Sequence, residues 1–154
     1  MDDRTELFRT GDPQGEYGFR SAISNYLYQA RGVDCTPDQV LIGAGSDYIL
    51  MLLGMILGTE HMIAFEDPTY KQAYRVIHTL GYETVPVAMD RHGMKIQDLE
   101  STGADIAYVT PSHQYPTGIV MPIGRRMELL KWAYEKDGRY IIEDDYDSEF
   151  RYKG

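Results

Sequence analysis

Apolar residues recur along the chain in two alternating patterns. Spacings of three and four residues predict amphipathic helices, and short apolar runs bounded by polar turns predict strands. Helices are predicted over residues 18–32, 46–58, 69–80, 96–101 and 123–136, strands over 39–43, 61–65, 83–87, 105–110 and 140–143, and a turn over 90–93.

This alternation defines the predicted fold class. Strands that alternate with helices need crossover connections, which place the strands parallel to one another. We therefore predict an α/β fold, a three-layer α/β/α sandwich with a mostly parallel sheet. No repeat, low-complexity tract or linker interrupts the pattern, so one domain over residues 1–154 is the simplest organisation.

The charge balance excludes one class of partner for this chain by itself. The 24 acidic and 15 basic residues give a net charge of −9, and Lys and Arg are scattered along the sequence. A nucleic-acid-binding surface needs clustered cations that neutralise phosphates. We therefore expect no direct DNA binding by these residues.

Cysteine and hydropathy bear on the compartment. Cys35 is the only cysteine, which excludes an internal disulfide and a multi-cysteine zinc site and favours a reducing compartment. The first ten residues are charged and unlike a signal peptide, and the longest apolar stretch, residues 49–57, is about half the length of a membrane span. We expect a soluble, cytoplasmic protein without a membrane partner.

Four segments with unusual chemistry follow predicted strands. They are residues 43–47, 66–70, 110–118 and 144–149. Ligands of open α/β sheets bind beyond the carboxyl ends of the strands. The sequence therefore predicts a ligand site built from these segments.

The segment Gly43-Ala44-Gly45-Ser46-Asp47 has the small residues and the helix start that suit an anion. Ser46 adds a hydroxyl donor, whereas Asp47 disfavours an anion but suits the helix dipole. An ordinary strand–helix turn with a serine cap explains the segment equally. It matches neither the dinucleotide fingerprint nor the P-loop.

Two further segments carry aromatic and hydrogen-bonding side chains. Tyr70 is predicted in the first helical turn after Pro68, where its ring could stack on a planar ligand or serve only in packing. His113, in the loop 110–118, could be a ligand, a base or a structural donor. The other three histidines are scattered, which disfavours a metal role for it.

The segment 143–149 is acidic. Because side chains alternate in direction, Asp144 and Asp145 cannot both enter one crevice. A buried aspartate needs a cation or hydrogen-bond donors, which a protonated ring nitrogen would supply. A divalent-metal site and a solvated acidic loop are the alternatives, although the spacing of an EF-hand is absent.

Five phrases together resemble one family. They are GDPQGEYGFRSAISNYL, DQVLIGAGSDY, FEDPTYKQA, YVTPSHQYPTG and IIEDDYDSEFRY, in this order over nearly the whole chain. They resemble the aminotransferase-type domain of MocR regulators, a subgroup of the GntR family of transcription factors. The resemblance implies part of the large domain of a pyridoxal-phosphate (PLP)-dependent transferase of fold type I.

The resemblance also implies roles for single residues. Ser46 and Asp47 match positions that bind the cofactor phosphate, and Tyr70 matches the ring that stacks on the pyridine. Asp144 matches the carboxylate that pairs with the protonated ring nitrogen, and Tyr146 matches the phenol that bonds the ring hydroxyl. Asp67-Pro68 and Tyr115-Pro116 match positions that often hold cis peptides.

Two departures from the wider aminotransferase pattern are visible. Tyr115 stands where general aminotransferases have an asparagine that bonds the ring hydroxyl, which leaves His113 or Gln114 as substitutes. The family's Schiff-base lysine lies beyond the Asp-x-Tyr strand, and none of the five lysines has that context. We therefore expect non-covalent cofactor binding and no transamination by this chain alone.

The resemblance also has implications for the whole protein. It implies an N-terminal winged helix that reads DNA, a C-terminal part with the lysine, an amino-acid-like effector and a homodimer. The expected function is thus the effector-sensing core of a transcriptional regulator. A piece of a genuine amino-acid aminotransferase, and an α/β module that has lost its cofactor, are the alternatives.

Overall fold

The computed structural model describes residues 10–150. Its helices are α1 (Tyr17–Arg31), α2 (Ser46–Leu57), α3 (Lys71–Thr79), α4 (Ile96–Thr102) and α5 (Ile123–Tyr134), with a 3₁₀ helix at Pro37–Gln39. Its strands are β1 (Met62–Asp67), β2 (Glu83–Asp90), β3 (Gly93–Met94), β4 (Ile106–Val109) and β5 (Tyr140–Glu143). The chain divides into two units, Met1–Ile49 and Leu50–Gly154.

All five strands belong to the second unit and form one sheet in the order β3-β2-β1-β4-β5. Strand β1 pairs in parallel with β2 and β4, and β4 pairs in parallel with β5. Among these five strands, only the two-residue β3 is antiparallel. The prediction of a mostly parallel sheet is confirmed.

The sheet buries a different set of side chains on each face, because successive residues of a strand point in opposite directions. One cluster, here called the Tyr108 face, contains strand residues with α2 and α3: Leu50, Ile63, Phe65, Ala73, Ile77, Tyr82, Ile106 and Tyr108. The other cluster, here called the Trp132 face, includes strand residues with α4 and α5: Ala64, Val87, Met94, Ile96, Leu99, Ala104, Ala107, Val109, Met121, Leu129 and Trp132. Helices cover both faces, which confirms the three-layer α/β/α prediction.

The first unit contains the one predicted strand that is wrong. Residues 39–43 form no strand, since the described residues give them a 3₁₀ turn at Pro37–Gln39 and the isolated bond from Ile42 N–H to the Gln14 carbonyl, at 2.8 Å. An apolar run becomes a strand only beside a partner strand, which local sequence does not reveal.

The predicted turn at residues 90–93 is present, but it also closes a hairpin. Asp90 pairs with Gly93 across β2 and β3, and Asp90 Oδ1 accepts the His92 N–H at 2.7 Å. Gly93 has a φ of +96°, which favours glycine. Strand β3 escaped prediction because two residues are too short to carry a periodic pattern.

Candidate functional site

Three of the four predicted segments leave the same edge of the sheet. Strands β1, β4 and β5 are adjacent and parallel, so their carboxyl ends meet there. The segments 110–118 and 144–149 follow β4 and β5, and the segment 66–70 begins with the last two residues of β1. The fourth segment, 43–47, lies in the other unit.

Asp144 is the carboxylate of its pair that turns toward the Tyr108 face. Ile142 packs on that face, and Asp144 lies two residues further along the strand direction. The Asp144 N–H donates to the Val109 carbonyl at 2.9 Å, extending the ladder by one residue. Asp145 instead accepts the N–H and hydroxyl of Ser148, at 3.2 and 2.6 Å. The sequence left open which of the two aspartates enters a crevice, and the structure turns Asp144 toward the Tyr108 face and Asp145 toward Ser148.

Tyr108 holds Asp144 in place. The Tyr108 side chain is fully buried, its ring lies 5.0 Å from the Phe65 ring, and its hydroxyl donates to Asp144 Oδ2. Burial, and next the bond to Asp144, raise the pKa of the Tyr108 phenol far above its ordinary value. The phenol therefore stays protonated and remains a donor at neutral pH.

Tyr70 occupies the N-cap position of α3, so the helix begins one residue later than this ring. It packs against the Tyr108 face and remains half-buried. The Tyr115 ring meets it edge-on at 5.7 Å between centroids. Tyr70 thus has a packing partner, as one of the two interpretations of the sequence required, and keeps part of its surface accessible.

The loop 110–118 is organised by Gln114, whose side chain is buried. Its Nε2 donates to the carbonyls of Pro68 and Tyr115, each at 2.8 Å. Its Oε1 accepts the N–H and the hydroxyl of Thr117, at 3.1 and 2.5 Å. Because both amide protons and both acceptor directions are engaged, Gln114 is a structural link and a poor substitute for the missing asparagine.

His113 and Tyr146 join the segments 110–118 and 144–149. His113 Nδ1 lies 2.5 Å from Asp147 Oδ2, and the Tyr146 hydroxyl donates to the His113 carbonyl at 2.9 Å. The two rings stack with centroids 6.1 Å apart. The structure therefore brings these two predicted residues together, with the Tyr146 proton committed to the loop.

The X-Pro bonds that bracket this region are both cis, as the resemblance implied. They are Asp67-Pro68 and Tyr115-Pro116.

Ser46 and Asp47 open helix α2 in the first unit. A Cβ on Gly43 would lie 2.3 Å from an Ile49 side-chain carbon, and Gly45 has a φ of +102°. The backbone of Gly45 therefore favours glycine, whereas a side chain at position 43 would displace the Ile49 side chain. The phosphate contact assigned to Ser46 and Asp47 stays a prediction.

Sequence analysis included Glu66 in the segment 66–70 but assigned it no role. Its side chain is 2 % exposed on the Trp132 face side of β1, and Oε2 accepts the Thr110 N–H and hydroxyl at 3.2 and 3.0 Å. Oε1 makes no hydrogen bond to any described residue. Burial raises the pKa of the Glu66 carboxyl, while the bonds from Thr110 oppose this. Its place after three apolar strand residues, Ile63 to Phe65, was the available signal.

Two searches of the described residues are negative. No group of three His, Cys, Asp or Glu side chains there could hold a metal ion. Across residues 10–150, no helix combines the length and apolar character that crossing a bilayer demands.

The fold is shared with solved aminotransferases. The kynurenine aminotransferase of Pyrococcus horikoshii matches with a TM-score of 0.84 and 28% identity over 99% of this chain and 40% of its own. LysN, an α-aminoadipate aminotransferase of Thermus thermophilus solved with N-(5'-phosphopyridoxyl)-L-leucine, matches with a TM-score of 0.79 and 27% identity. The match covers 93% of this chain and 36% of LysN. Residues 1–151 match the family model of aminotransferase class I and II, and the chain belongs to that family.

Curated relatives agree with the resemblance to MocR regulators, which is thereby confirmed. The HTH-type transcriptional regulator YdeL of Bacillus subtilis is 45% identical over 97% of this chain and 32% of its own length. The probable rhizopine catabolism regulatory protein MocR of Rhizobium meliloti is 36% identical over 94% of this chain and 29% of its own length. The pyridoxine biosynthesis regulator PdxR of Corynebacterium glutamicum is 38% identical over 92% and 31%. The chain thus spans about a third of these relatives.

Proposed function

We propose that this chain is the PLP-binding, effector-sensing core of a MocR-type regulator of the GntR family. In the whole protein, DNA would be read by another domain, the effector would resemble an amino acid, and the assembly would be a cytoplasmic homodimer. The observation that carries the proposal is the similarity to regulators at 36–45% identity across 92–97% of the chain.

The donor set of the second unit fits a planar, protonated heteroaromatic ring. Tyr70 offers an aromatic face that is half-buried, and Asp144 offers a carboxylate that Tyr108 already anchors on the same face of the sheet. Opposite charge from a protonated nitrogen would offset the cost of keeping this carboxylate half-buried. An aromatic ring for stacking and a carboxylate for the protonated nitrogen are the two groups that would bind the pyridine ring of PLP.

The resemblance gives the other predicted residues roles in binding the cofactor. Ser46 and Asp47, at the start of α2, would hold the phosphate, as helix starts commonly do. Tyr146 and His113 would border the ring hydroxyl, with Tyr146 exchanging its bond to the His113 carbonyl. Bound PLP supplies an electron sink and an aldehyde that reacts with amines.

The lysines within residues 10–150 support a binding role more than a catalytic one. In the described structure Lys95, Lys131 and Lys136 lie within 4.0 Å of acidic side chains, and Lys71 opens helix α3. A Schiff base needs a positioned, desolvated amine. We propose that PLP binds here without a covalent bond.

A titration with PLP, followed by fluorescence and calorimetry, tests the proposal. We expect weak binding by the wild type that Tyr70→Ala and Asp144→Ala each reduce, because they remove the stacking ring and the charge partner. Tyr140→Ala and Asp98→Ala serve as matched controls, since Tyr140 lies on β5 and is 47% exposed, and Asp98 makes only a long surface ion pair on α4. Equal binding by all five proteins would refute the site.

Borohydride reduction of the same mixtures tests the non-covalent claim. We expect no adduct at a single lysine by mass spectrometry. A unique reduced adduct would contradict the claim and favour catalysis.

The alternative, a piece of an amino-acid aminotransferase, has weaker support in the comparisons. An aromatic-amino-acid aminotransferase of Thermococcus litoralis is 29% identical over 97% of this chain, against 45% for YdeL. Sequence preceding Met1 discriminates the two: a basic winged helix supports the regulator, and an ordinary aminotransferase arm supports the enzyme.

A further inference from the structure

We infer that Tyr108 is a positioning residue that fixes the Asp144 carboxylate so that it can recognise the ring nitrogen of a pyridine ligand. This inference rests on the proposed function, because it assigns Asp144 to that nitrogen. It adds a residue that lies outside the strand-end segments.

The Tyr108 ring alone does not need its hydroxyl. The ring is part of the core of the Tyr108 face and lies 5.0 Å from the Phe65 ring between centroids, a packing role that phenylalanine would serve equally. Burying a hydroxyl without a partner is costly. Asp144 is the partner that offsets this cost, so the hydroxyl has a function beyond packing.

Two hydrogen bonds constrain Asp144. The backbone of Asp144 is held by the Val109 carbonyl, and Oδ2 is held by the Tyr108 hydroxyl. With one oxygen fixed, rotation about the Cβ–Cγ bond is restricted, and the place of the other oxygen follows. A ligand then meets a carboxylate that has already lost this rotational entropy, so binding loses less.

The donor is also permanent at physiological pH. Tyr108 is fully buried, and its phenol holds its proton because burial and the adjacent Asp144 both disfavour the phenolate, which raises the pKa. It therefore supports the ionised carboxylate and cannot replace it as the acceptor of a pyridinium proton. The division of roles is fixed: Tyr108 donates to Asp144, and Asp144 accepts from the ligand.

The test compares PLP with its 1-deaza analogue, in which carbon replaces the ring nitrogen. The Kd of each is measured for the full chain and for Tyr108→Phe, Asp144→Asn and Tyr82→Phe. Tyr82 is the matched control, because its buried phenol on the same face donates to the Gly54 carbonyl at 2.6 Å and not to Asp144. Thermal unfolding verifies that every variant is folded.

We expect the wild type to prefer PLP over the analogue, and Asp144→Asn to abolish the preference. Tyr108→Phe should weaken PLP binding by roughly three- to tenfold, the effect of losing one hydrogen bond of ordinary strength, with little change for the analogue. Tyr82→Phe should keep the wild-type preference even where it lowers the melting temperature. A purely structural role for Tyr108 would weaken both ligands equally.

The outcomes separate the two proposals. A preference that Asp144→Asn abolishes and Tyr108→Phe leaves intact overturns the positioning role and retains the proposed function. Absence of PLP binding by the wild type, or equal binding of PLP and its analogue, overturns the assignment of Asp144 and the positioning role together.

Discussion

Two carboxyl groups lie near the same edge of the sheet in different environments. Glu66, near the end of β1, is 2 % exposed on the Trp132 face side, whereas Asp144, beyond β5, is half-buried and turned toward the Tyr108 face. Glu66 accepts from the backbone and hydroxyl of Thr110, and Asp144 from a single phenol. One acid joins two strand ends, and the other keeps part of its surface exposed.

The difference shows how burial separates a structural acid from the acid to which we assign ligand binding. The Glu66 carboxyl has an oxygen without a hydrogen bond among the described residues and a pKa that burial raises, so its proton is retained more readily than in water. Asp144 keeps solvent access beside one fixed donor. Only the second arrangement leaves a charge available to a cationic ligand.

Deleting each carboxyl should show this contrast most strongly. Glu66→Ala leaves a cavity and removes the acceptor of two buried Thr110 donors, so we expect a loss of roughly 2–4 kcal/mol in the free energy of unfolding. Asp144→Ala leaves only the Tyr108 hydroxyl without its acceptor, and we expect a loss of about 1 kcal/mol in the free energy of unfolding. Urea denaturation at pH 7 measures both.

Asp98→Ala is the control for removing a surface acid, with an expected change within about 0.5 kcal/mol. If Asp144→Ala proves as destabilising as Glu66→Ala, Asp144 is a structural acid and the contrast fails.

The pH dependence of stability should sharpen the contrast next. Because the pKa of Glu66 is raised on folding, the folded chain binds more protons than the unfolded chain above the ordinary glutamate pKa of 4.5. The contribution of Glu66 is therefore complete below that pH and is lost as pH rises toward the folded pKa, by at most about 1.4 kcal/mol per unit. Glu66→Gln should remove this decline.

The measurement is a series of urea denaturations from about pH 4 to 7, a range that starts near the ordinary pKa of glutamate. It is read as the difference between wild type and Glu66→Gln. Other titrating groups are common to both proteins and cancel. A difference that is flat across the series would show that Glu66 ionises alike in both states.

Local patterns of the sequence were enough to predict most of the second unit. The strands β1, β2, β4 and β5 fall within a few residues of their predicted bounds, because each is an apolar run between turn signals. The predicted strand at residues 39–43 failed because strand pairing is a long-range property. The two-residue β3 failed because it depends on a turn and not on a pattern.

The candidate site was predictable in its residue types but not in its contacts. Tyr70, His113, Asp144 and Tyr146 were identified from strand ends and the resemblance, and the structure places them at one sheet edge. The roles of the buried residues Tyr108 and Glu66 were not predicted, since a tyrosine or glutamate inside a strand gives no sign of which side chain it will contact. Their roles depend on the register between β1, β4 and β5.

The smallest expected effect concerns the Tyr108 hydroxyl at alkaline pH. The pKa of Tyr108 is raised on folding, first by burial and then by Asp144. Above about pH 10 the unfolded chain loses this proton while the folded chain keeps it, so stability falls as pH rises. Tyr108→Phe should lessen the decline by about 1 kcal/mol between about pH 10 and 11, measured by urea denaturation.

Tyr134→Phe, which removes a phenol that is 89% exposed, should retain the wild-type slope. An unchanged slope in Tyr108→Phe would mean that its phenol ionises in the folded chain, which would deprive Asp144 of its permanent donor and align the two acids more closely than the structure indicates.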